Sequence, residues 1–439
     1  MVRSIVKKLN QWFSSSNVLS PIEQLSRPIL AVKESQLTFT PFSRPAQTSL
    51  SVPEIGLVYC FFDSTLQFNG NTGVQRVARQ TSRALANSGV KVIASTWDGQ
   101  KGAIAPLLPK ELNHLSKWSG PEVEQWHEWV PPNEAPVNSW LMSNEMPPTL
   151  GTGSNSELTE FAKSRKLNTA VTFFDAIPAI LPELYPPGAA ELHYSYMKQL
   201  AEWDLVFPIS VQSANDMLNL LPQSVSTKHN LIEKLIPIPL PAVFASTETL
   251  SYLPTSVNSR PFILVLSTFE KRKNHISLLR AAAIAQQSLP FGIELILVGH
   301  ALDKSILKLA QQYKKVFSKL RIVHDASDDQ LRDFIDRADF TIFPSIEEGF
   351  GLPILESLSR GKPVICDNQR AIDEVASGGG CLQVDVLNVE QFAEAIVTLS
   401  TDFDVYLSKC REIKNRSFRT WEDYVSDIVV SMSKRSVPS

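Results

Sequence analysis

PSIEEGFGLPILESLSRGKPVI, residues Pro344 to Ile365, is the stretch that decides the fold. It follows an apolar run, Phe340–Phe343, that reads as a buried strand. Glu348 falls just past the carboxyl end of that strand, and Gly349 and Gly351 come next. Pro353 suits the first turn of a helix, which is expected to run to about Arg360 and to stop at Gly361. Glu356 then lies one turn inside the helix. Strand, glycine turn and helix in this order make a β–α unit of a parallel sheet, whose ligands bind at the carboxyl edge. A helix start offers unpaired N–H groups and a positive dipole end, and glycines let the backbone approach an anion closely. The layout suits a sugar diphosphate. The backbone from Gly349 through Phe350 and Gly351 to Leu352 would take the diphosphate, Glu348 the sugar hydroxyls, and Glu356 the two hydroxyls of a ribose.

Working outward, the same alternation fills the second half of the chain. Strands are expected at Phe262–Leu266, Ile293–Val298, Leu320–Val323, Phe340–Phe343, Pro363–Cys366 and Cys381–Val384, with helices at Ile276–Gln287, Asp329–Ala338 and Val389–Leu399. This is a doubly wound α/β pattern. Its first strand leads into LSTFEKRKNHISLL, Leu266 to Leu279, where Lys271, Arg272 and Lys273 form a small cationic patch at a strand end. Cations so placed make charge-assisted bonds to phosphate and stabilise a departing diphosphate.

The first half repeats the architecture without repeating the sequence. Strand-like runs fall at Ile55–Asp63, Val90–Ala94, Trp140–Met142, Ala170–Phe174 and Leu205–Ile209. Val74, Val77, Ala78, Thr81, Ala84 and Leu85 mark one face of a helix that Gly73 opens and Gly89 stops. Residues 99–138, rich in Pro and Trp, read as an insertion. Pro237, Pro239, Pro241 and Pro254, among many Ser and Thr, mark the break between the halves. The expected organisation is an amphipathic segment and linker over 1–52, an acceptor domain over 53–245, a linker over 246–260, a donor domain over 261–405 and a closing helix over 406–439.

Composition excludes several classes. A chain of 439 residues with 43% hydrophobic residues supports two cores, and a net charge of −3 argues against nucleic acid as a partner. Cys60, Cys366, Cys381 and Cys410 lack metal-ligand spacing and read as reduced core thiols of a cytoplasmic protein. No apolar run reaches the ~18 residues of a membrane span. Val2, Ile5, Val6, Leu9, Trp12 and Phe13 share a helical stripe, with Arg3, Lys7 and Lys8 on the remaining surface. This outlines a helix for peripheral contact with the inner membrane, or one packed on the protein.

Glu348, seven residues and Glu356 around a GFGLP turn resemble the signature of the retaining GT-B glycosyltransferases, family 4 in particular. FEKRKN resembles the family's EPRKN element, whose basic residue holds the diphosphate. Lys273 matches that residue, Arg272 is the candidate second cation, and Ser267 and Thr268 stand where many members carry Gly. NTGVQRVAR resembles the TGIQRV element, which makes Gly73 a donor contact and adds Gln75 and Arg76. FFDAIPAILPELY places Phe174-Asp175 where members often show His-Asp or Tyr-Asp. Asp175 is thus expected near the acceptor, with no histidine role there, although it also reads as a helix cap. FRTWEDYVSDIV looks like the closing Trp-containing helix.

The resemblance implies two Rossmann-like doubly wound domains facing across a cleft. It implies retaining transfer of a hexose, mannose-type or deoxyhexose, from a nucleoside-diphosphate sugar to a glycan or lipid-linked glycan. Glu348, Lys273 and Asp175 would serve the reaction, with Thr268 at the donor and no metal or other cofactor. The competing readings are an epimerase or phosphorylase on the same fold, and a non-catalytic partner that binds nucleotide sugar.

Overall fold

The computed structural model describes residues 55–148, 151, 153–221, 227–242, 256–317, 319–324 and 326–436. The amphipathic stretch 2–13, the linker 14–52 and most of the 246–260 connector lie outside the described residues. The described residues divide into two compact units, one of them 242–418, the other 55–241 together with 419–436.

The N-terminal unit is built on six strands, β1 (Leu57–Phe61), β2 (Lys91–Asp98), β3 (Ala103–Pro106), β4 (Trp140–Ser143), β5 (Asn168–Phe173) and β6 (Leu205–Pro208). Their order in the sheet is β3-β2-β1-β4-β5-β6. Every pair is parallel except β2 with β3, which is antiparallel. The expected parallel sheet thus carries one antiparallel edge strand. Residues 99–138 are not a simple insertion, because they begin with this edge strand before the helix Pro109–Leu115. Strands β1, β4 and β6 are buried along their whole length, as continuous apolar runs under helices require. The helix Gly73–Asn87 buries Val77, Ala78, Thr81, Ala84 and Leu85, the face its spacing predicts. It ends at Ser88, and Gly89 takes the left-handed conformation (φ 86°) that favours glycine.

The C-terminal unit has an all-parallel sheet of β7 (Phe262–Leu266), β8 (Glu294–Val298), β9 (Leu320–Val323), β10 (Phe340–Phe343), β11 (Val364–Asp367) and β12 (Cys381–Val384). The order is β12-β11-β10-β7-β8-β9. A core of strand side chains packs with the helices His275–Gln286 and Val389–Thr401, including Leu278, Leu279, Phe392 and Ile396. All four cysteines are free thiols and buried, as composition led one to expect. The segment 406–439 is two helices rather than one. Phe403–Asn415 stays with the C-terminal unit, while Trp421–Ser436 belongs to the N-terminal unit and packs on Gly73–Asn87. The break falls between them because residues 416–420 form no helix.

In each sheet the chain steps outward in one direction, returns, and steps outward in the other. The reversal lies between β7 and β10 in one unit and between β1 and β4 in the other. Two neighbouring strands whose following helices cover opposite faces leave a crevice outside their carboxyl ends.

Candidate active site

Both segments singled out in the second half lie at the β7–β10 reversal. After β7 the chain makes the short turn Lys271–Lys273, and Asn274 starts the helix His275–Gln286. Asn274 is left-handed (φ 49°), a conformation that suits Asn better than most residues. Its carboxamide accepts the Ser277 N–H at 3.4 Å and donates to the Val386 carbonyl at 3.1 Å. The neighbouring strand end comes so close that a Cβ on Gly299 would lie 2.0 Å from the Ser267 carbonyl oxygen. After β10, Gly351 (φ 120°) caps the helix Leu352–Ser359, with Pro353 in its first turn, and Gly361 (φ 77°) follows its end. The backbone joins the two loops directly, through Ile346 N–H to the Arg272 carbonyl at 3.1 Å.

The cationic run is divided. Lys271 is exposed, whereas Arg272 and Lys273 turn inward onto Glu348, which lies 75 residues beyond Lys273. Arg272 NH1 lies 2.8 Å from Glu348 Oε2, and Lys273 Nζ pairs with Glu348 Oε1, which the Ser345 hydroxyl also approaches. The three side chains are only 15%, 11% and 12% exposed. Burial alone would raise the Glu348 pKa, but Arg272, Lys273 and Ser345 outweigh it and hold the carboxyl at about 2. Burial and the neighbouring Arg272 lower the Lys273 pKa against the pull of Glu348. With two cations in contact, the Glu348 carboxylate is their counter-ion. Thr268 donates to Glu270 Oε1 at 2.7 Å, and the same oxygen receives Arg272 NH2 at 3.0 Å.

Two further groups complete this edge. Glu356 is 4% exposed, which corrects any picture of a solvated helix carboxylate, and Phe350 is likewise buried at 5%. Glu347 was not singled out by the sequence reading. It is 3% exposed and lies 2.7 Å from Arg370 Nε, while its carbonyl accepts Arg272 NH1 at 2.9 Å. Only the adjacency of two acids hinted at it, because Arg370 is 23 residues further on. His275, also passed over, stacks on Phe269 at 4.6 Å with its Nε2 3.2 Å from the Ser267 hydroxyl. Burial, and then Lys273, push its pKa down to about 3, so the imidazole is neutral.

The first-half candidates lie in the other unit. Gly73 is the exposed first residue of its helix, Gln75 is buried against the Thr72 hydroxyl, and Arg76 is half-buried. Asp175 is half-buried, and its Oδ1 accepts the Ile177 N–H at 3.0 Å; the cap position of that short helix falls to Ala176, so the alternative reading of Asp175 as the cap is corrected. The absence of a histidine at position 174 does not leave the turn without one. His193 Nε2 lies 2.9 Å from the Asp175 carbonyl oxygen. Among the described residues no group of His, Cys, Asp and Glu is arranged to hold a metal ion. No described helix is long and apolar enough to cross a membrane.

With the fold and the charged edge established, comparison with known proteins identifies the class. Residues 254–417 match the family Glycosyl transferases group 1. Sucrose-phosphate synthase from Thermosynechococcus elongatus superposes with a TM-score of 0.59 at 15% identity, covering 85% of this chain and 97% of that one. HepE of Anabaena, solved with UDP and glucose, superposes with a TM-score of 0.54 at 14% identity, covering 86% and 97%. The chain thus has the GT-B fold of these proteins, and its residues 254–417 are similar to the group 1 glycosyl transferases.

Among sequence relatives, the serotype-specific mannosyltransferase WbdA of Escherichia coli is 28% identical over 215 residues, 47% of this chain and 26% of WbdA. O-antigen chain mannosyltransferase B of Escherichia coli is 28% identical over 171 residues, 38% of this chain and 44% of that protein. The chain spans about a quarter of the length of WbdA.

Proposed function

We propose that this chain is a retaining glycosyltransferase. It moves a hexose, mannose-type by preference, from a nucleoside-diphosphate sugar to a hydroxyl of a glycan or lipid-linked glycan during cell-surface polysaccharide assembly. The observation that carries this reading is the pairing of Arg272 and Lys273 with Glu348 beside the glycine-capped start of Leu352–Ser359. Two inward cations and a helix start on the same sheet edge are the kinds of group that a diphosphate needs. The O-antigen mannosyltransferases among the relatives support the sugar and the pathway class.

The same geometry bears on the chemistry. A carboxylate held at about 2 by two cations is a poor nucleophile and a poor base, which argues against a covalent sugar on Glu348. The reading adopted is same-face transfer. The bond from the anomeric carbon to the diphosphate oxygen breaks, the acceptor oxygen bonds to that carbon, and the acceptor proton ends on the departing phosphate. Lys273 and Arg272 stabilise the charge that grows there, and the Gly349–Leu352 backbone holds it in place. Glu356 takes the ribose hydroxyls. Glu348 sets the two cations and meets the donor sugar, with Thr268 alongside. Asp175 serves the acceptor and Gly73 the donor. The protein works on the cytoplasmic face of the inner membrane, with residues 2–13 as its peripheral contact. Removing those residues is expected to abolish binding to anionic vesicles.

Calorimetric titration with GDP, UDP and dTDP tests the donor site. One of the three is expected to bind the wild type, and Glu356→Ala is expected to weaken that binding at least about tenfold through loss of a charged hydrogen-bond acceptor. A folded wild type that binds none of them would overturn the reading in favour of a non-catalytic partner. Transfer is also expected to survive excess chelator unchanged, since the diphosphate's charge is met by side chains. A chelator-sensitive rate would show that a metal supplies part of it.

A further inference from the structure

The N-terminal unit has its own reversal, between β1 and β4, and three ionisable side chains converge there on the loop Asp63–Thr72. Glu145, just past β4, is 0% exposed and accepts the N–H groups of Asp63 at 2.5 Å, Ser64 at 2.8 Å and Thr65 at 3.0 Å. His114, from the helix Pro109–Leu115, has Nε2 at 3.1 Å from the Thr65 carbonyl oxygen and 3.2 Å from that of Phe68. Facing two carbonyls, this nitrogen is the donor. Arg79, two turns into the helix Gly73–Asn87, reaches back to the far end of the loop, where NH1 donates to Asn71 Oδ1 at 3.1 Å. Trp118 covers its guanidinium at 4.7 Å. Trp118 and Ser119 are both left-handed (φ 52° and 59°), and the Ser119 carbonyl accepts Gln80 Nε2 at 2.9 Å and Arg83 NH1 at 3.0 Å. A strained turn is thereby fastened onto the same helix over the Arg79 side chain.

Packing alone does not call for arginine at position 79. The residue is 0% exposed, and its Nε and NH2 have no hydrogen-bond partner among the described residues. An apolar side chain of similar length would fill the volume without burying a charge. What the guanidinium adds is its hold on the Asn71 carboxamide, two residues before Gly73, and a positive charge within electrostatic reach of the buried Glu145 carboxylate, which holds the other end of the loop.

We propose that Arg79 is a positioning residue. Through Asn71 it fixes the Asp63–Thr72 loop and the entry to the Gly73 helix in one conformation, so that this edge is formed before ligand arrives. The cap residue Thr72 makes no side-chain hydrogen bond to the helix start, and the first turn holds no acid, which suits an anionic ligand. The ligand half of the proposal rests on the transferase reading, with a nucleoside diphosphate as the ligand. The conformational half does not.

Hydrogen exchange of the loop amides, followed in the full chain, tests the conformational half. Arg79→Met and Asn71→Ala are each expected to speed exchange over residues 66–72 about tenfold, with β1 and β4 protected as before. The double variant is expected to be no faster than Arg79→Met alone, because that substitution already removes the Asn71 contact. Unchanged loop exchange in Arg79→Met, an equal rise throughout the unit, or additive effects would each overturn the proposal. If Arg79→Met does not fold, Arg79→Lys takes its place in the same comparison. The nucleoside diphosphate that binds the wild type is expected to bind each variant about tenfold more weakly. A loosened loop with unchanged affinity would overturn the ligand half. A wild type that binds no diphosphate would overturn the transferase reading, while the exchange rates still decide the role of Arg79.

Discussion

Glu348→Gln is expected to cost the C-terminal unit about 3 kcal/mol of folding stability and to abolish transfer, yet to tighten binding of the free nucleoside diphosphate. The stability loss follows from burial. Arg272 and Lys273 are mostly shielded from water, and glutamine leaves both facing a neutral amide. The gain in affinity follows from the same contact. In the wild type an incoming diphosphate shares the two cations with a carboxylate already in place, whereas in the variant it meets them without that competitor. Urea unfolding and calorimetry measure the two effects. Transfer is lost because, on the proposed reading, it is this carboxylate that meets the donor sugar. A variant that binds the diphosphate more weakly would show that Glu348 holds the cations in the binding geometry rather than competing for them. The contribution of the cluster depends on pH in a defined direction. The folded pKa of Glu348 lies below the ordinary carboxylate value of 4.5, so its stabilisation is present above that value and is lost as pH falls toward about 2.

His275 is expected to dominate the pH dependence at milder acidity. Its folded pKa of about 3 lies below the ordinary 6.5, so between these values the unfolded chain binds a proton that the folded unit does not. Stability therefore falls as pH drops below 6.5, by about 1.4 kcal/mol per pH unit once the unfolded histidine is charged. From pH about 6 to about 4 this amounts to roughly 3 kcal/mol, comparable with the Glu348 substitution. His275→Gln is expected to remove that slope, since the amide can keep the Ser267 contact without titrating. Urea unfolding at a series of pH values measures it. An unchanged slope in the variant would mean that the imidazole charges within the folded unit, beside Lys273, without resistance.

These charge effects were the least legible part of the sequence. Strands such as Phe262–Leu266 and Phe340–Phe343 are short, largely apolar runs, and their limits could be read directly. β3 could not, because four residues on an antiparallel edge are too short to show a period. The EEGFGLP turn announced its backbone, since glycine and proline positions are local requirements. The partners of its carboxylates were not announced. Glu348 meets Lys273 across 75 residues, Glu145 meets Thr65 across 80, and His114 meets Thr65 across 49. Spacing within a motif carries no information about contacts of that range. Arg79 was quoted as the last residue of NTGVQRVAR and given no role, because a cation on a helix ordinarily reads as solvent-facing.

The salt cluster after β7 has a consequence for turnover. Arg272 and Lys273 bring two positive charges, and Glu270 and Glu348 two negative ones, so the cluster is balanced before any substrate enters. On the proposed transferase reading, the cations would close again on acids that never left once a spent nucleoside diphosphate departs. The by-product would then leave an edge whose charge is already satisfied, and it would inhibit the next cycle the less for that.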